Sequence, residues 1–186
     1  MRGIREKEQI MKIGIFMADS NGGYPVPASR GGAVSTLVEH LVKENNVKKL
    51  VSMDIITIHD DKAESLSRQY PNINFIWIKP WQWIGFLDKL LFDCVRVFLK
   101  KKKVISYKSL FSLLFCIVRS SQIMRKNKYD KVILENNIPL AWSIRLSKNK
   151  GDYYYHLHNV PRIDAKCRRI FENCNGFLCV SRYVAE

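Results

Sequence analysis

The stretch KIGIFMADSNGGYPVPASRGGAV, Lys12–Val34, decides the fold. Lys12–Phe16 is β-branched and aromatic and predicts a strand, whereas residues 17–32 are rich in Gly, Pro, Ser and Asn and predict a loop. Apolar residues at helical spacing then predict a helix over Ala33–Leu41. A strand, a glycine-bearing loop and a helix in that order are the opening unit of a doubly wound α/β sheet.

The loop is a candidate anion-binding site. The helix begins beside Gly31 and Gly32, so its free backbone N–H groups and the positive end of its dipole would stabilise a phosphate. The loop matches neither common phosphate-binding motif, because no Lys follows the glycines and they occur as two pairs, Gly22-Gly23 and Gly31-Gly32. The alternative is that these glycines only permit tight turns with positive φ.

Length and composition limit the classes of protein to which this chain can belong. The 186 residues suffice for one domain with a core, and 31 Lys and Arg against 17 Asp and Glu give a net charge of +14. Such a charge predicts an anionic partner: nucleotide phosphates, nucleic acid or an acidic membrane surface. The five cysteines, an odd number, fit a reducing cytosol. Residues 1–10 lack the apolar segment of a signal peptide, and we expect a disordered extension there.

Five further strands are predicted along the chain. They alternate with helices predicted at Leu140–Leu146 and Ile163–Glu172, while Asp60–Gln69 is expected to be a polar connection. Alternation of this kind indicates a mostly parallel sheet covered on both faces, which is a three-layer α/β/α domain over residues 11–186. The strands are Asp54–His59, Asn74–Lys79, Lys131–Asn136, Tyr153–His158 and Gly176–Ser181.

The segment Pro80–Lys128 interrupts this pattern as a basic, amphipathic helical insertion. It begins with Trp81 and Trp83 and carries the cluster Lys100–Lys103. Aromatic residues followed by lysines are typical of helices that lie in a membrane interface. For a cytoplasmic protein, we expect that interface to be the inner face of the cell membrane. The alternative is a pair of core helices with solvated lysines. Nucleic acid is the weaker expectation for a partner, because no DNA- or RNA-binding motif is present.

Histidines at the end of the fifth strand are the main candidates for chemistry. Alternation places His156 and His158 on the same side of the sheet. His158 ends the strand, where side chains of parallel sheets meet ligands, so we expect it to be functional. His156 lies deeper, and we interpret it as a core histidine with its hydrogen bonds satisfied.

Other strand ends supply polar side chains that could bind a sugar or an acceptor. The spacing of Cys167, Cys174 and Cys179 is not the paired spacing of a zinc site, so no metal site is predicted. The candidates for sugar or acceptor binding are Asp19, Ser20, Glu135, Asn136 and Asn159.

Five segments, taken together, resemble family-four glycosyltransferases of the GT-B fold. In chain order they are KIGIF, RGGAV, KYDKVILENNIPLA, YYYHLHNV and CNGFLCVSRYVAE, and the HLHN run followed by the VSRYV run is the most specific. The resemblance extends from about Met11 to Glu186 and covers the amino-terminal half of such an enzyme.

The resemblance implies a retaining hexosyltransferase with two Rossmann-like domains, no cofactor and no metal. The amino-terminal domain binds the acceptor and contributes a glycine-rich loop near the diphosphate of the nucleotide-sugar donor. On this chain, Gly31 and Gly32 match that loop, and His158 matches the histidine that contacts the transferred sugar. No second Rossmann unit follows in these residues, so the chain alone is expected to be inactive and to work with a donor-binding domain or chain.

Two functions therefore lead, ahead of a third, which is a stand-alone nucleotide- or nucleic-acid-binding domain. The first is the acceptor-binding domain of an enzyme that transfers a sugar to a polysaccharide or glycolipid at the cytoplasmic membrane face. The second is a non-catalytic membrane-docking subunit that recruits a separate catalytic chain.

Overall fold

The computed structural model describes residues 10–17, 24–98, 109–135, 138–158, 168 and 172–185. The strands are β1 Lys12–Phe16, β2 Ser52–Ile58, β3 Asn74–Ile78, β4 Lys131–Glu135, β5 Asp152–Leu157 and β6 Gly176–Cys179. The helices are α1 Ala33–Lys48, α2 Asp61–Ser67, α3 Gln82–Phe98, α4 Leu110–Asn127, α5 Ala141–Ser147 and α6 Arg182–Ala185.

The six strands form one parallel sheet in the order β3-β2-β1-β4-β5-β6. This is the strand order of a Rossmann-like, doubly wound α/β domain, as the sequence predicts. The order reverses between β1 and β4, so the crevice outside their carboxyl ends is the topological switch point. Ligands of such sheets bind at that point.

Alternation along the strands divides the core between the two faces of the sheet. Ile15 packs with Val38 and Val42 of α1, whereas its neighbour Phe16 packs with Ile117 and Met124 of α4. Successive side chains of a strand point to opposite faces, and both faces are covered, which explains why these strands are continuously apolar.

The prediction of a polar connection over Asp60–Gln69 is wrong, because α2 lies there. Asp60 caps this helix by accepting a hydrogen bond of 2.9 Å from the backbone N–H of Ala63, whose side chain is buried. A helix of only seven residues shows too little periodicity to be recognised from apolar spacing.

The first helix is longer than predicted and ends at Lys48. Its last turn is fixed by buried Asn45, whose side chain donates to the carbonyl of Val51 at 3.0 Å and accepts from the N–H of Val51 at 3.1 Å. The predicted strand boundaries differ from the observed ones by at most two residues. The expected extension over residues 1–10 and the expected helix over 163–172 fall almost entirely outside the described residues.

The insertion contains the helices α3 and α4. Asp88 of α3 is buried and accepts hydrogen bonds from the backbone N–H groups of Phe111 and Ser112, at 2.7 and 3.1 Å. A side chain of one helix therefore caps the start of the next. In the part of the chain that the structure describes, no helix is both long and apolar enough to cross a bilayer.

Candidate functional site

Three side chains of β4 and β5 meet at the carboxyl edge of the sheet. Glu135 ends β4 and is in register with His156 of β5. One carboxylate oxygen of Glu135 lies 3.0 Å from Nδ1 of His156, and the other lies 2.9 Å from Nε2 of His158. The centroids of the two imidazole rings are 4.5 Å apart. We call these three residues the Glu–His–His cluster.

The cluster is a nearly dry site with an ionised carboxylate. Only 1% of the Glu135 side chain is exposed, against 12% of His156 and 10% of His158. Burial raises the pKa of Glu135, but hydrogen bonds from His156 and His158 outweigh it and bring the pKa below its usual value. Because an ionised carboxylate only accepts hydrogen bonds, the histidine nitrogens that face Glu135 carry the protons.

The cluster lies on the α1 side of the sheet. Val132 and Leu134 of β4, and Tyr155 and Leu157 of β5, all point into the core on the α4 side. Alternation therefore directs Glu135, His156 and His158 to the opposite face. The cluster thus occupies both the carboxyl edge and the face on which α1 begins.

The loop before α1 is held at the same edge. Asp60, just after β2, accepts a hydrogen bond of 2.7 Å from the Ser29 hydroxyl and pairs with the Arg30 guanidinium at 2.8 Å. The backbone N–H of Val26 donates to the Thr57 hydroxyl at 3.2 Å. Hydrogen bonds from Ala63 and Ser29 and the charge of Arg30 lower the pKa of Asp60 from 3.8 to about 2.

A second carboxylate holds the loop from α1. Glu39 accepts a hydrogen bond of 2.9 Å from the backbone N–H of Ala28 and another of 2.9 Å from the Tyr70 hydroxyl. Burial raises the pKa of Glu39, but the hydrogen bonds from Ala28, Lys43 and Tyr70 bring it below its usual value. The described part of the loop before α1, residues 24–32, is therefore held by side chains of α1 and by groups at the end of β2 and just after it.

The two glycines at the end of this loop have positive φ. Gly31 has a φ of 77° and no atom within 4 Å of the position a Cβ would take. Gly32 has a φ of 98°, and a Cβ there would lie 3.0 Å from the Tyr24 ring. The N-cap residue Gly32 offers no side-chain acceptor, and the first turn of α1 has no acidic residue, so neither of them neutralises the positive end of the helix dipole.

The structure thus brings Gly31, Gly32, Glu135 and His158 to one edge and one face of the sheet. Sequence reasoning missed His156 as a member of the site. The signal that could have found it is its position two residues before His158, opposite the last residue of β4. The other predicted site residues lie outside the described part of the chain: Asp19, Ser20, Asn136 and Asn159.

A separate cleft of about 650 Å³ lies at the opposite edge, where β4 and β5 begin. Its lining includes Lys128 and Lys148, which end α4 and α5, together with Gly151. Basic residues are expected where helices end, because they interact favourably with the negative ends of the helix dipoles. We therefore assign no chemistry to this cleft.

Comparison with known proteins assigns this chain to no family. No protein-family model matches the sequence, and no curated protein matches it. Among solved structures, a short-chain dehydrogenase from Streptomyces avermitilis aligns over 97% of this chain and 91% of its own, with a TM-score of 0.43 and 7% sequence identity. A likeness this distant carries no argument about activity.

Proposed function

We propose that this chain is the acceptor-binding domain of a retaining glycosyltransferase. It would act on a polysaccharide or glycolipid at the cytoplasmic membrane face, with a nucleotide-sugar as donor. The observation that carries the proposal is the position of the Glu135–His158 pair on the same edge and face of the sheet as Gly31 and Gly32.

Each part of this site has a distinct role in the proposal. The N–H groups at the start of α1 and the open space around Gly31 receive the donor diphosphate. His158 contacts the transferred sugar, where a fixed imidazole stabilises developing charge. Glu135 holds His158 in one orientation and one tautomer, which is how buried carboxylates assist catalytic histidines.

The geometry changes the role expected for Glu135. The sequence suggests that Glu135 binds a sugar hydroxyl. Its side chain is almost completely buried, however, and each carboxylate oxygen faces a histidine. We therefore propose Glu135 and His156 as positioning residues and leave direct sugar contact to His158.

The membrane part of the proposal is supported by the surface of α3. Among its residues only Ile84 and Asp88 are buried, so most of this apolar helix is not covered by the rest of the fold. The exposed residues recur at helical spacing, which places them along one stripe. We call this stripe the α3 apolar stripe; it contains Trp83, Phe86, Leu90 and Val97. An amphipathic helix on a chain of net charge +14 fits an anionic membrane surface.

The experiment is a transfer assay on the polypeptide expressed from the complete reading frame. Labelled nucleotide-sugars are incubated with this protein and with lipid-linked acceptors extracted from membranes. We expect transfer by the wild type and a loss of about 100-fold or more in His158→Ala. The control is His59→Ala, which removes a histidine that also pairs with a glutamate but lies at the end of β2. Near-normal transfer by His158→Ala contradicts the role of His158.

The non-catalytic docking subunit is the second candidate, favoured by the exposed α3 apolar stripe. It predicts that the protein binds membranes and co-purifies with another chain, while His158→Ala leaves the transfer activity of that complex unchanged. The same two variants therefore separate the two functions.

A further inference from the structure

The Glu–His–His cluster has the composition of a metal site. Each residue offers one ligand atom, and the ligand atoms lie within 4.8 Å of one another. We infer that this cluster binds a divalent transition-metal ion, with Zn²⁺ as the best fit. Two imidazole nitrogens and one carboxylate form one of the ligand sets of zinc sites that keep an open position.

The distances agree with coordination at nearly the present geometry. Zinc bonds to histidine nitrogen and to carboxylate oxygen are about 2.0 to 2.2 Å long. The ligand atoms of a tetrahedral ion with such bonds are separated by about 3.4 Å, a few tenths of an ångström more than the hydrogen-bond distances of the cluster. The two nitrogen–oxygen separations here are 3.0 and 2.9 Å. An ion can therefore insert between the carboxylate and both rings with small side-chain movements.

The position of the cluster also favours binding. Its ligands stand on two adjacent, hydrogen-bonded strands, so little conformational freedom is lost when an ion binds. Both rings keep a small exposed fraction, so an ion can reach the cluster from solvent. Among the described residues, no Lys or Arg pairs with Glu135, so its negative charge is available to a cation.

Binding requires a change in the protonation of both rings. The histidine nitrogens that face Glu135 carry protons in the absence of metal. On binding, each of these protons leaves, to the other nitrogen of the ring or to solvent, and the bare nitrogen donates its lone pair to the ion.

A second group in the same chain serves as an internal control. His59, Asp61 and Glu64 also place their ligand atoms within 4.8 Å of one another. There the Asp61 side chain is fully exposed, and the His59–Asp61 distance is 3.8 Å. Exposed side chains must be ordered at an entropic cost, so this group should bind metal far more weakly.

The inference does not rest on the proposed sugar transfer. If the chain both binds zinc and takes part in sugar transfer, the ion occupies the His158 nitrogen. Bound zinc then inhibits transfer. The outcome of a metal titration of the isolated chain is therefore independent of the outcome of a transfer assay.

The test is a Co²⁺ titration of the chelator-treated protein, followed by its visible absorption spectrum. We expect one equivalent of Co²⁺ to give a d–d band without a thiolate charge-transfer band. Glu135→Gln and His156→Ala should each weaken binding by about 10-fold or more, whereas His59→Ala should not change it. Absence of the band, a thiolate band from the cysteines, or unchanged affinity in Glu135→Gln overturns the inference.

A measurement on the wild type covers the case in which these variants do not fold. Zinc-edge X-ray absorption of the wild-type protein with one equivalent of Zn²⁺ reports the ligands directly. We expect two imidazoles with oxygen ligands and no sulfur. A shell that contains sulfur, or only oxygen, contradicts the site.

Discussion

The carboxylate of Glu135, at the end of β4, lies 2.9 Å from Nε2 of His158, which follows the neighbouring strand β5. The same carboxylate binds His156 through its other oxygen, so one buried anion holds two imidazoles. β4 is also the strand next to β1, where the strand order reverses. The pair therefore lies beside the point of the sheet where ligands bind in this fold.

Glu135→Ala should lower the free energy of unfolding by about 2 to 4 kcal/mol, because two nearly buried N–H donors lose their acceptor. The matched control is Glu64→Ala, which removes a carboxylate 3.0 Å from His59 at a half-exposed position. Glu64→Ala should lower the free energy of unfolding by less than about 1 kcal/mol. Urea denaturation measures both, and equal losses would contradict the burial argument.

Gly32→Ala should destabilise the protein by about 1 to 3 kcal/mol, because a φ of 98° is strained for any L side chain and the new methyl group meets the Tyr24 ring. Gly31→Ala should cost less, since the position is open and its φ of 77° is closer to the left-handed helical region. Thermal unfolding compares the two variants. A larger loss in Gly31→Ala would show that the loop takes another conformation.

Asp60 should make the stability depend on pH in acid. Its pKa falls from 3.8 to about 2 in the folded state, so the folded protein binds fewer protons than the unfolded chain. The stabilisation is fully present above the unfolded pKa, at pH values above about 4, and is lost as the pH falls toward about 2. Solvent screening of the Arg30 pair keeps it at on the order of 1 kcal/mol.

The measurement is the free energy of unfolding of wild type and Asp60→Asn at several pH values. We expect the wild type to be the more stable at pH 6, with the difference between them shrinking at acid pH. A difference that does not vary with pH would contradict the lowered pKa of Asp60 in the folded state.

The α3 apolar stripe should bind anionic vesicles. We expect the wild type to float with vesicles that contain phosphatidylglycerol, and the triple variant Trp83→Ser, Phe86→Ser, Leu90→Ser to stay in the aqueous fraction. Val47→Ser changes an exposed apolar residue of α1 and should float like the wild type. If the wild type does not float with either neutral or anionic vesicles, the stripe does not bind membranes.

The fold could be predicted because its signals are local. Lys12–Phe16 and Asn74–Ile78 are apolar runs bounded by loop residues, and both are strands at or near the predicted limits. The sequence does not indicate α2, because the helix is short and depends on the Asp60 cap. Helix α3 was located, but its sequence could not show that only Ile84 and Asp88 would be buried.

The candidate site could be predicted only in part. The sequence shows that Glu135 and His158 each end a strand, which is enough to predict that they lie at the same edge of a parallel sheet. The sharing of Glu135 by two histidines depends on the register between β4 and β5, which is a long-range property. The sequence alone therefore indicates a core residue at His156, whereas in the structure its ring completes the cluster.

The most direct test of the account is a nuclear magnetic resonance titration of the labelled chain with nucleoside diphosphates and nucleotide-sugars. We expect the amide signals of Gly31 and Gly32 and the ring signals of His158 to shift together. Gly151, at the opposite edge of the sheet, should stay unchanged. Shifts at Gly151 without shifts at Gly31 and His158 would contradict a sugar-transfer site at the carboxyl ends of β1, β4 and β5.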